Sequence, residues 1–295
     1  MSTIQPVSFK ATGRVRRRKM VNGIAQLVAV TAALLAVAVL ALMVGSVFAR
    51  GYHALSISFF THNPATFGQS GGGIAPAFIG SFLLVLIATA MALPVGVLLA
   101  IYVSEFAPRK VGDQARLWLD VLNGIPSIVI GIFVFGLLVV GHGQSGYAGS
   151  FALAIIMLPL VARTTLEMLA LVPNSLREAS FALGASRWRT VLGVVLPGAA
   201  GGIVTGTILA VARAAGETAP LLFASSIAAT IVTWDPHNAL ASIPVTIFEY
   251  SEAPDPALHE QAWAAAFVLI AIILVTSLLA RYLHDRSRRR LGQAH

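Results

Sequence analysis

Residues Phe78–Val103 read FIGSFLLVLIATAMALPVGVLLAIYV, an apolar run without a single charged side chain. A helix that crosses the hydrocarbon of a bilayer needs roughly 20 predominantly apolar residues, because every backbone polar group must be satisfied within the segment. This run is long enough for such a helix. It predicts that the chain crosses a membrane.

Five further runs outside this stretch are predominantly apolar over a spanning length. The six predicted spans are Ile24–Phe48, Phe78–Val103, Leu119–Val140, Phe151–Leu171, Leu196–Ala215 and Ala262–Ala280. Of the 295 residues, 57% are hydrophobic and only 11% are charged, which excludes a soluble domain of this length. The composition therefore predicts an all-α, polytopic membrane protein with six transmembrane helices. Pro94, Pro126, Pro159 and Pro197 lie inside or at the edges of these spans, where proline kinks a helix.

The distribution of Lys and Arg predicts the orientation, because these residues are retained on the cytoplasmic side. They cluster in both tails and in the second and fourth connections, and they are absent between Ala214 and Trp263. Both termini are therefore predicted to be cytoplasmic, with a basic tail at 1–23, a membrane domain at 24–281 and a second basic tail at 282–295. The shorter apolar run Thr218–Val232 is predicted to be re-entrant or interfacial, since a full crossing would move the second tail outside.

The net charge of +8 does not indicate nucleic acid, because the basic residues flank apolar runs and suit a lipid surface better. The chain has no cysteine, no H-E-x-x-H motif and no carboxylate cluster with metal-ligand spacing. None of its three lysines stands in a phosphate-binding loop, so we expect no ATP or Mg²⁺ to be bound by this chain. We assign no catalytic residue and no metal site.

The fourth connection, between the spans Phe151–Leu171 and Leu196–Ala215, contains residues that favour a short helix. Asn174 or Ser175 is suited to N-cap a short helix, and Gly184 is suited to end it. Leu176, Ala179 or Ser180, and Leu183 share one face of that helix, which would allow it to fill a groove on another protein. An amphipathic helix that merely lies on the bilayer is the alternative.

The same segment resembles the EAA loop of ATP-binding-cassette importer permeases of type I. The matching positions are Glu178-Ala179-Ser180, Gly184, Val194 and Leu196-Pro197, with Ser180 and Val194 as mild departures from the pattern. The resemblance implies a coupling helix at about 174–190 that sits in a cleft of a cytoplasmic ATPase. Its implied contact residues are Glu178, Ala179, Ser180, Gly184, Arg187 and Trp188.

Two arginines lie inside predicted spans, and each is followed four residues later by a carboxylate. Arg163 with Glu167 and Arg213 with Glu217 therefore share a helix face. Ionisable groups inside a membrane usually line a pathway, and a guanidinium suits an oxyanion. The other interpretation is that each pair only lowers the cost of insertion.

The stretch Arg213-Ala214-Ala215-Gly216-Glu217-Thr218-Ala219-Pro220-Leu221-Leu222-Phe223 resembles the PstA-type phosphate permeases. Gly124–Val129 and Ile101–Ala107 agree with it. The resemblance implies transport of inorganic phosphate across the bacterial inner membrane. It also implies a PstC-type permease, a PstB-type ATPase dimer and a PstS-type phosphate-binding protein as partners.

Three alternatives remain open from the sequence. A permease for molybdate or sulfate would share the coupling loop, and the Arg213–Phe223 stretch argues against it. A secondary transporter would show inverted repeats, which are not visible. A non-transporting membrane scaffold would leave phosphate flux independent of Arg213.

Overall fold

The computed structural model describes residues 13–65, 72–226 and 230–292. The predicted tail residues 1–12 and 293–295 lie outside the described residues. The helices are α1 (Gly13–Gly51), α2 (Ile57–Thr61), α3 (Ala75–Ile101), α4 (Arg109–Gly124), α5 (Ser127–Val134), α6 (Gly146–Ala170), α7 (Asn174–Ala182), α8 (Arg187–Thr190), α9 (Leu196–Ala214), α10 (Ala219–Ala224), α11 (Ile243–Glu252) and α12 (Pro256–Gly292). A 3-10 turn at Tyr52–Ala54 follows α1, and π-helical turns at Tyr102–Phe106, Phe135–Val139 and Val191–Val195 adjoin α3, α5 and α9.

The chain forms two compact units, Met1–Ala49 and Arg50–His295. The first holds most of α1, whose apolar window is fully exposed within the structure. A helix whose apolar window is exposed in this way is suited to lipid. The second unit holds the remaining helices.

Five described helices are long and apolar enough to cross a membrane. They are Val15–Ala54, Ala75–Phe106, Gly146–Ala170, Arg187–Ala214 and Pro256–Tyr282. Each overlaps one of the predicted spans, so five of the six predictions are confirmed by length and composition. Which side of the membrane each end faces stays a prediction.

The predicted third span, Leu119–Val140, is wrong as a continuous helix. It straddles a break at which α4 and α5 meet with a bend of 92°. Ile125 is extended, with φ −70° and ψ 129°, a conformation that the ring of Pro126 favours by crowding the residue before it. Pro94 and Pro159, by contrast, lie inside unbroken helices. The two pieces together count as a sixth, broken span.

Helix α6 is the central element of the second unit. It packs along α3 on one side and against α9 on another, and α9 packs in turn on α12. Its apolar window is the most buried among the candidate spans of the described residues. Leu153, Met157 and Val161 are almost completely inaccessible, so α6 fixes the positions of its neighbours.

A seam of glycines brings α9 close to α6. Gly198, Gly202 and Gly206 recur every four residues and therefore lie on one face of α9. A Cβ atom at Gly206 would lie 2.6 Å from Thr164 Oγ1, and one at Gly202 would lie 2.1 Å from Met168 Sδ. Small residues at four-residue spacing permit such close helix contact in membranes.

The described residues of the segment after α9 pack against the ends of α3 and α6. Helix α10 has only six residues, and the described part of Thr218–Val232 contains no candidate span. Ser225 Oγ donates to Leu240 O at 2.7 Å, and the Gly146 N–H donates to Asn238 O at 2.8 Å. Whether this segment is re-entrant or interfacial stays a prediction.

Candidate functional site

Arg213 lies in the last turn of α9, and Glu217 lies in the turn that leads to α10. The Gly216 N–H donates to Arg213 O at 3.0 Å and the Glu217 N–H to Ala214 O at 3.2 Å, which tightens the end of the helix. Arg213 Nε then lies 3.7 Å from Glu217 Oε1. The predicted pair is therefore close in space.

The two partners differ in exposure. The Arg213 side chain is 57% exposed, whereas that of Glu217 is 18% exposed. The 3.7 Å separation is longer than a hydrogen bond, and within the described residues the Arg213 guanidinium makes no hydrogen bond to protein. Its fork of N–H donors is thus open to a ligand, and the adjacent carboxylate limits the local positive charge.

Arg163 has different surroundings. Its Nε lies 3.6 Å from Glu167 Oε1, as the sequence spacing predicts, and its Nη1 also pairs with Asp120 Oδ1. Asp120 belongs to α4 and was not predicted, because the partners are separated by 43 positions. Two carboxylates surround one guanidinium, so this group ties α4 to α6 and carries a net negative charge.

The predicted coupling segment 174–190 consists of two short helices instead of one. Asn174 is the first residue of α7 and not its N-cap, since that position is Pro173. Helix α7 ends in a Schellman motif, in which the Gly184 N–H donates to Phe181 O at 2.9 Å and the Ala185 N–H to Ser180 O at 3.1 Å. Gly184 has a φ of 79°, in the left-handed region that glycine adopts at low cost.

Helix α7 presents an exposed face with apolar character. It has no buried residue, and Leu183 at its end is 89% exposed. Glu178 and Ala179 are also exposed, whereas Ser180 Oγ lies 2.9 Å from Thr190 Oγ1 and so joins α7 to α8. Arg187 and Trp188 begin α8, where Trp188 is 56% exposed. Apolar residues at a solvent-facing loop are typical of a protein interface.

Sequence reasoning missed the contacts that hold this segment. Glu105, in the π-helical turn after α3, accepts a hydrogen bond of 2.9 Å from Arg177 Nη2. The ring of the adjacent Phe106 lies 4.6 Å from that of Trp188. Glu105 and Arg177 are 72 positions apart, so no periodicity links them. The available signal was a carboxylate at the end of an apolar span, opposite an arginine in the next inside loop.

Residues 92–289 match the family described as "Binding-protein-dependent transport system inner membrane component". The chain belongs to this family. The permease is 38% identical over 245 residues to the phosphate transport system permease protein PstA of Yersinia pestis, covering 82% of this chain and 83% of that protein. It is 35% identical over 294 residues to PstA 1 of Mycobacterium tuberculosis, covering 97% and 95%. The resemblance to PstA-type permeases that the Arg213–Phe223 stretch indicated is thereby confirmed.

A solved structure supports the fold independently. A bacterial alginate ABC transporter in complex with an alginate-bound periplasmic protein contains a chain that covers 90% of the permease, with a TM-score of 0.63. The permease covers 96% of that chain at 14% identity, so this likeness concerns the fold alone. The permease has the type I importer fold and is a multi-pass protein of the inner membrane.

Proposed function

We propose that the chain is a permease subunit of an ATP-driven phosphate importer and forms half of its translocation pathway. The two relatives above, whose names state phosphate transport, match 82% and 97% of the chain, which supports the substrate class. The observation that carries the proposal is the open guanidinium of Arg213 at the end of α9. A guanidinium fork binds two oxygens of a tetrahedral oxyanion at once.

Glu217 gives this site a means of distinguishing oxyanions. Phosphate retains at least one proton at neutral pH, whereas sulfate is fully ionised. A carboxylate next to the bound anion accepts a hydrogen bond from a protonated oxygen and repels an anion that has none. The same negative charge keeps binding weak enough for release, as a transport pathway requires.

Energy reaches the pathway through the segment 174–190 in this proposal. A PstB-type ATPase dimer binds ATP and Mg²⁺ and receives Glu178, Ala179 and Leu183 in its cleft. Closure of that dimer displaces α7 together with α6 and α9, which flank it, and opens the pathway outward. A PstS-type binding protein delivers phosphate from outside, and a PstC-type permease supplies the other half. No step of ATP hydrolysis is assigned to this chain.

The test is ATP-dependent uptake of radiolabelled phosphate into vesicles that contain the chain and its three partners. We expect both Arg213→Ala and Glu178→Ala to lose phosphate uptake. Arg213→Ala should retain ATP hydrolysis, whereas Glu178→Ala should lose it. Arg116→Gln is the matched control, because it removes an arginine of an exposed ion pair with Asp113. Uptake that is unaffected by Arg213→Ala would contradict the pathway assignment.

Competition separates phosphate from the other oxyanions. Excess sulfate or molybdate should leave phosphate uptake by the wild type unchanged. Glu217→Gln should lower this discrimination, because an amide does not repel a fully ionised anion. If sulfate or molybdate is imported in preference to phosphate, the alternative of another oxyanion importer is correct.

A further inference from the structure

Arg177 is the most extensively bonded charged side chain of the coupling segment. Its guanidinium donates to both carboxylate oxygens of Glu105, from Nη2 at 2.9 Å and from Nε at 3.4 Å. It also donates to the carbonyl oxygens of Leu169 at 2.9 Å and Val172 at 2.5 Å, and to Asn174 Oδ1 at 3.3 Å. One side chain thus joins the end of α3, the end of α6 and the start of α7.

This junction is sheltered from solvent. The side chains of Arg177 and Glu105 are 15% and 11% exposed, whereas those of the surface pair Arg116 and Asp113 are 51% and 64% exposed. A sheltered ion pair is screened less by water and salt than an exposed one. Its geometry is also fixed by five hydrogen bonds, since a planar guanidinium loses little freedom for each bond it makes.

A second contact holds the same turn from the other side. Phe106 follows Glu105 and stacks on Trp188, with ring centroids 4.6 Å apart. The Arg187 guanidinium lies 5.7 Å from the centroid of the Phe106 ring. The π-helical turn at Tyr102–Phe106 therefore contacts α7 through Glu105 and α8 through Phe106.

We propose that Glu105 and Arg177 are positioning residues that transmit displacement of the coupling segment to α3 and α6. This inference rests on the proposed function, in which a partner ATPase moves α7. Helix α7 buries none of its residues, so packing alone does not fix it to the spans. A displacement of α7 reaches the end of α3 directly across the contacts that the Glu105–Phe106 turn makes with α7 and α8, and it reaches the end of α6 across the bonds of Arg177 to Leu169 O and Val172 O.

The first test compares ATP hydrolysis with phosphate uptake in the assembled transporter, for Glu105→Gln, Arg177→Lys and the control Arg116→Gln. Glutamine keeps the shape of Glu105 without its charge, and lysine keeps the charge of Arg177 without its fork. We expect ATP hydrolysis within about twofold of wild type and uptake reduced at least tenfold, so that the ATP used per phosphate rises by a similar factor. A parallel fall of both rates, or no change in their ratio, would overturn the proposal.

The second test measures the distance across the junction between the turn after α3 and the start of α7. The chain has no cysteine, so spin labels can be attached to cysteines introduced at the exposed positions Tyr102 and Ser175. We expect a narrow label-to-label distance distribution that is the same in the nucleotide-free and ATP-bound transporter, and a broader one in Glu105→Gln. A distance that changes between nucleotide states in the wild type would overturn the proposal.

The two tests separate failure of the junction from failure of the proposed function. A wild-type transporter that imports no phosphate contradicts the phosphate proposal. The distance measurement still decides whether the junction is rigid. The distance measurement also remains decisive if the substituted complexes fail to assemble, because the labelled protein keeps the wild-type residues at positions 105 and 177.

Discussion

The glycine seam between α6 and α9 makes a quantitative prediction about alanine substitutions. Gly198, Gly202 and Gly206 all lie inside α9, where Gly202 and Gly206 face α6 and Gly198 faces Val172 just after it, so each is changed to alanine in turn. Alanine in place of a helical glycine gains about 0.5–1 kcal/mol of backbone entropy at each position. Because that gain is common to the three variants, differences between them report the packing against α6.

The packing differs sharply along the seam. A Cβ atom at Gly198 would lie 3.6 Å from Val172 Cγ2, which is ordinary contact, and one at Gly202 would meet the flexible end of Met168. One at Gly206 would lie 2.6 Å from Oγ1 and 2.7 Å from Cβ of Thr164. That side chain is short and β-branched, so it is unable to swing away and the two helices must separate.

Overpacking of a close contact costs about 1–3 kcal/mol. We therefore expect Gly206→Ala to have a free energy of unfolding about 2 kcal/mol below that of Gly198→Ala, which is roughly a 30-fold change in the folded-to-unfolded ratio. Gly202→Ala should lie between them, because Met168 has other rotamers available. Reversible unfolding by SDS in mixed micelles, followed by tryptophan fluorescence, measures the three values.

One control examines the cause of the loss. Thr164→Ala removes the Oγ1 and Cγ2 atoms but leaves the Cβ contact at 2.7 Å, so it should recover only part of the loss in Gly206→Ala. Equal stability of Gly198→Ala and Gly206→Ala, within about 0.5 kcal/mol, would show that the contact with Thr164 does not limit the residue at position 206.

Four further predictions follow from single residues. Burial, together with the adjacent Glu249 carboxylate, raises the pKa of Tyr250 to about 12; an unfolded tyrosine titrates near about 10, so its stabilisation is complete below that pH and is lost as the pH rises towards the folded value. In a spectrophotometric titration, the wild type should show one tyrosine that ionises at higher pH than the others, and Tyr250→Phe should lack it. Burial raises the pKa of Glu249 as well, so its contribution to stability is present below the unfolded value of 4.5 and is lost as the pH rises; Glu249→Gln should raise the melting temperature at about pH 7 but not at about pH 4. Gly184→Ala should cost about 1–2 kcal/mol through its left-handed φ and lower phosphate uptake, and Gly184→Asn should cost less in both measurements. Asp120→Asn should lower stability by about 1 kcal/mol or less in thermal unfolding, since the Asp120 and Arg163 side chains are about half exposed, and a much larger loss would contradict that estimate.

The spans were predictable because lipid imposes one simple requirement on a helix, namely its apolar length. That requirement identified the helices around Phe78–Val103 and Phe151–Leu171 without any knowledge of packing. It failed at Leu119–Val140, where the run is apolar enough on average but Ile125 and Pro126 break the helix. Hydropathy averages over a window and does not register the backbone restriction that proline imposes on the preceding residue.

The candidate site was predictable only where its partners are neighbours along one helix or turn. Spacing of four residues correctly placed Arg163 beside Glu167 and Arg213 beside Glu217. Asp120 and Glu105 reach their arginines across 43 and 72 positions, and such contacts depend on how α3, α4 and α6 pack. The roles of these residues in transport stay predictions. The structure does, however, distinguish the two arginines: the Arg163 guanidinium is paired with Asp120 and Glu167, whereas the Arg213 guanidinium makes no hydrogen bond to the described residues.

These contacts join the coupling segment to Arg213 by a continuous path through packed elements. Arg177 bonds the carbonyl of Leu169 at the end of α6, and α6 lies close to α9 at Thr164 and Gly206. Gly206 precedes Arg213 by about 10 Å of helix, at roughly 1.5 Å per residue. A displacement at α7 therefore has a short route to the guanidinium, through a salt bridge and a helix contact that both resist deformation. If this route carries the coupling, Gly206→Ala should raise the ATP used per phosphate as Glu105→Gln does, and Gly198→Ala should not. A Gly206→Ala transporter that is less stable but fully coupled would show that the glycine seam stabilises the fold without transmitting the displacement of α7.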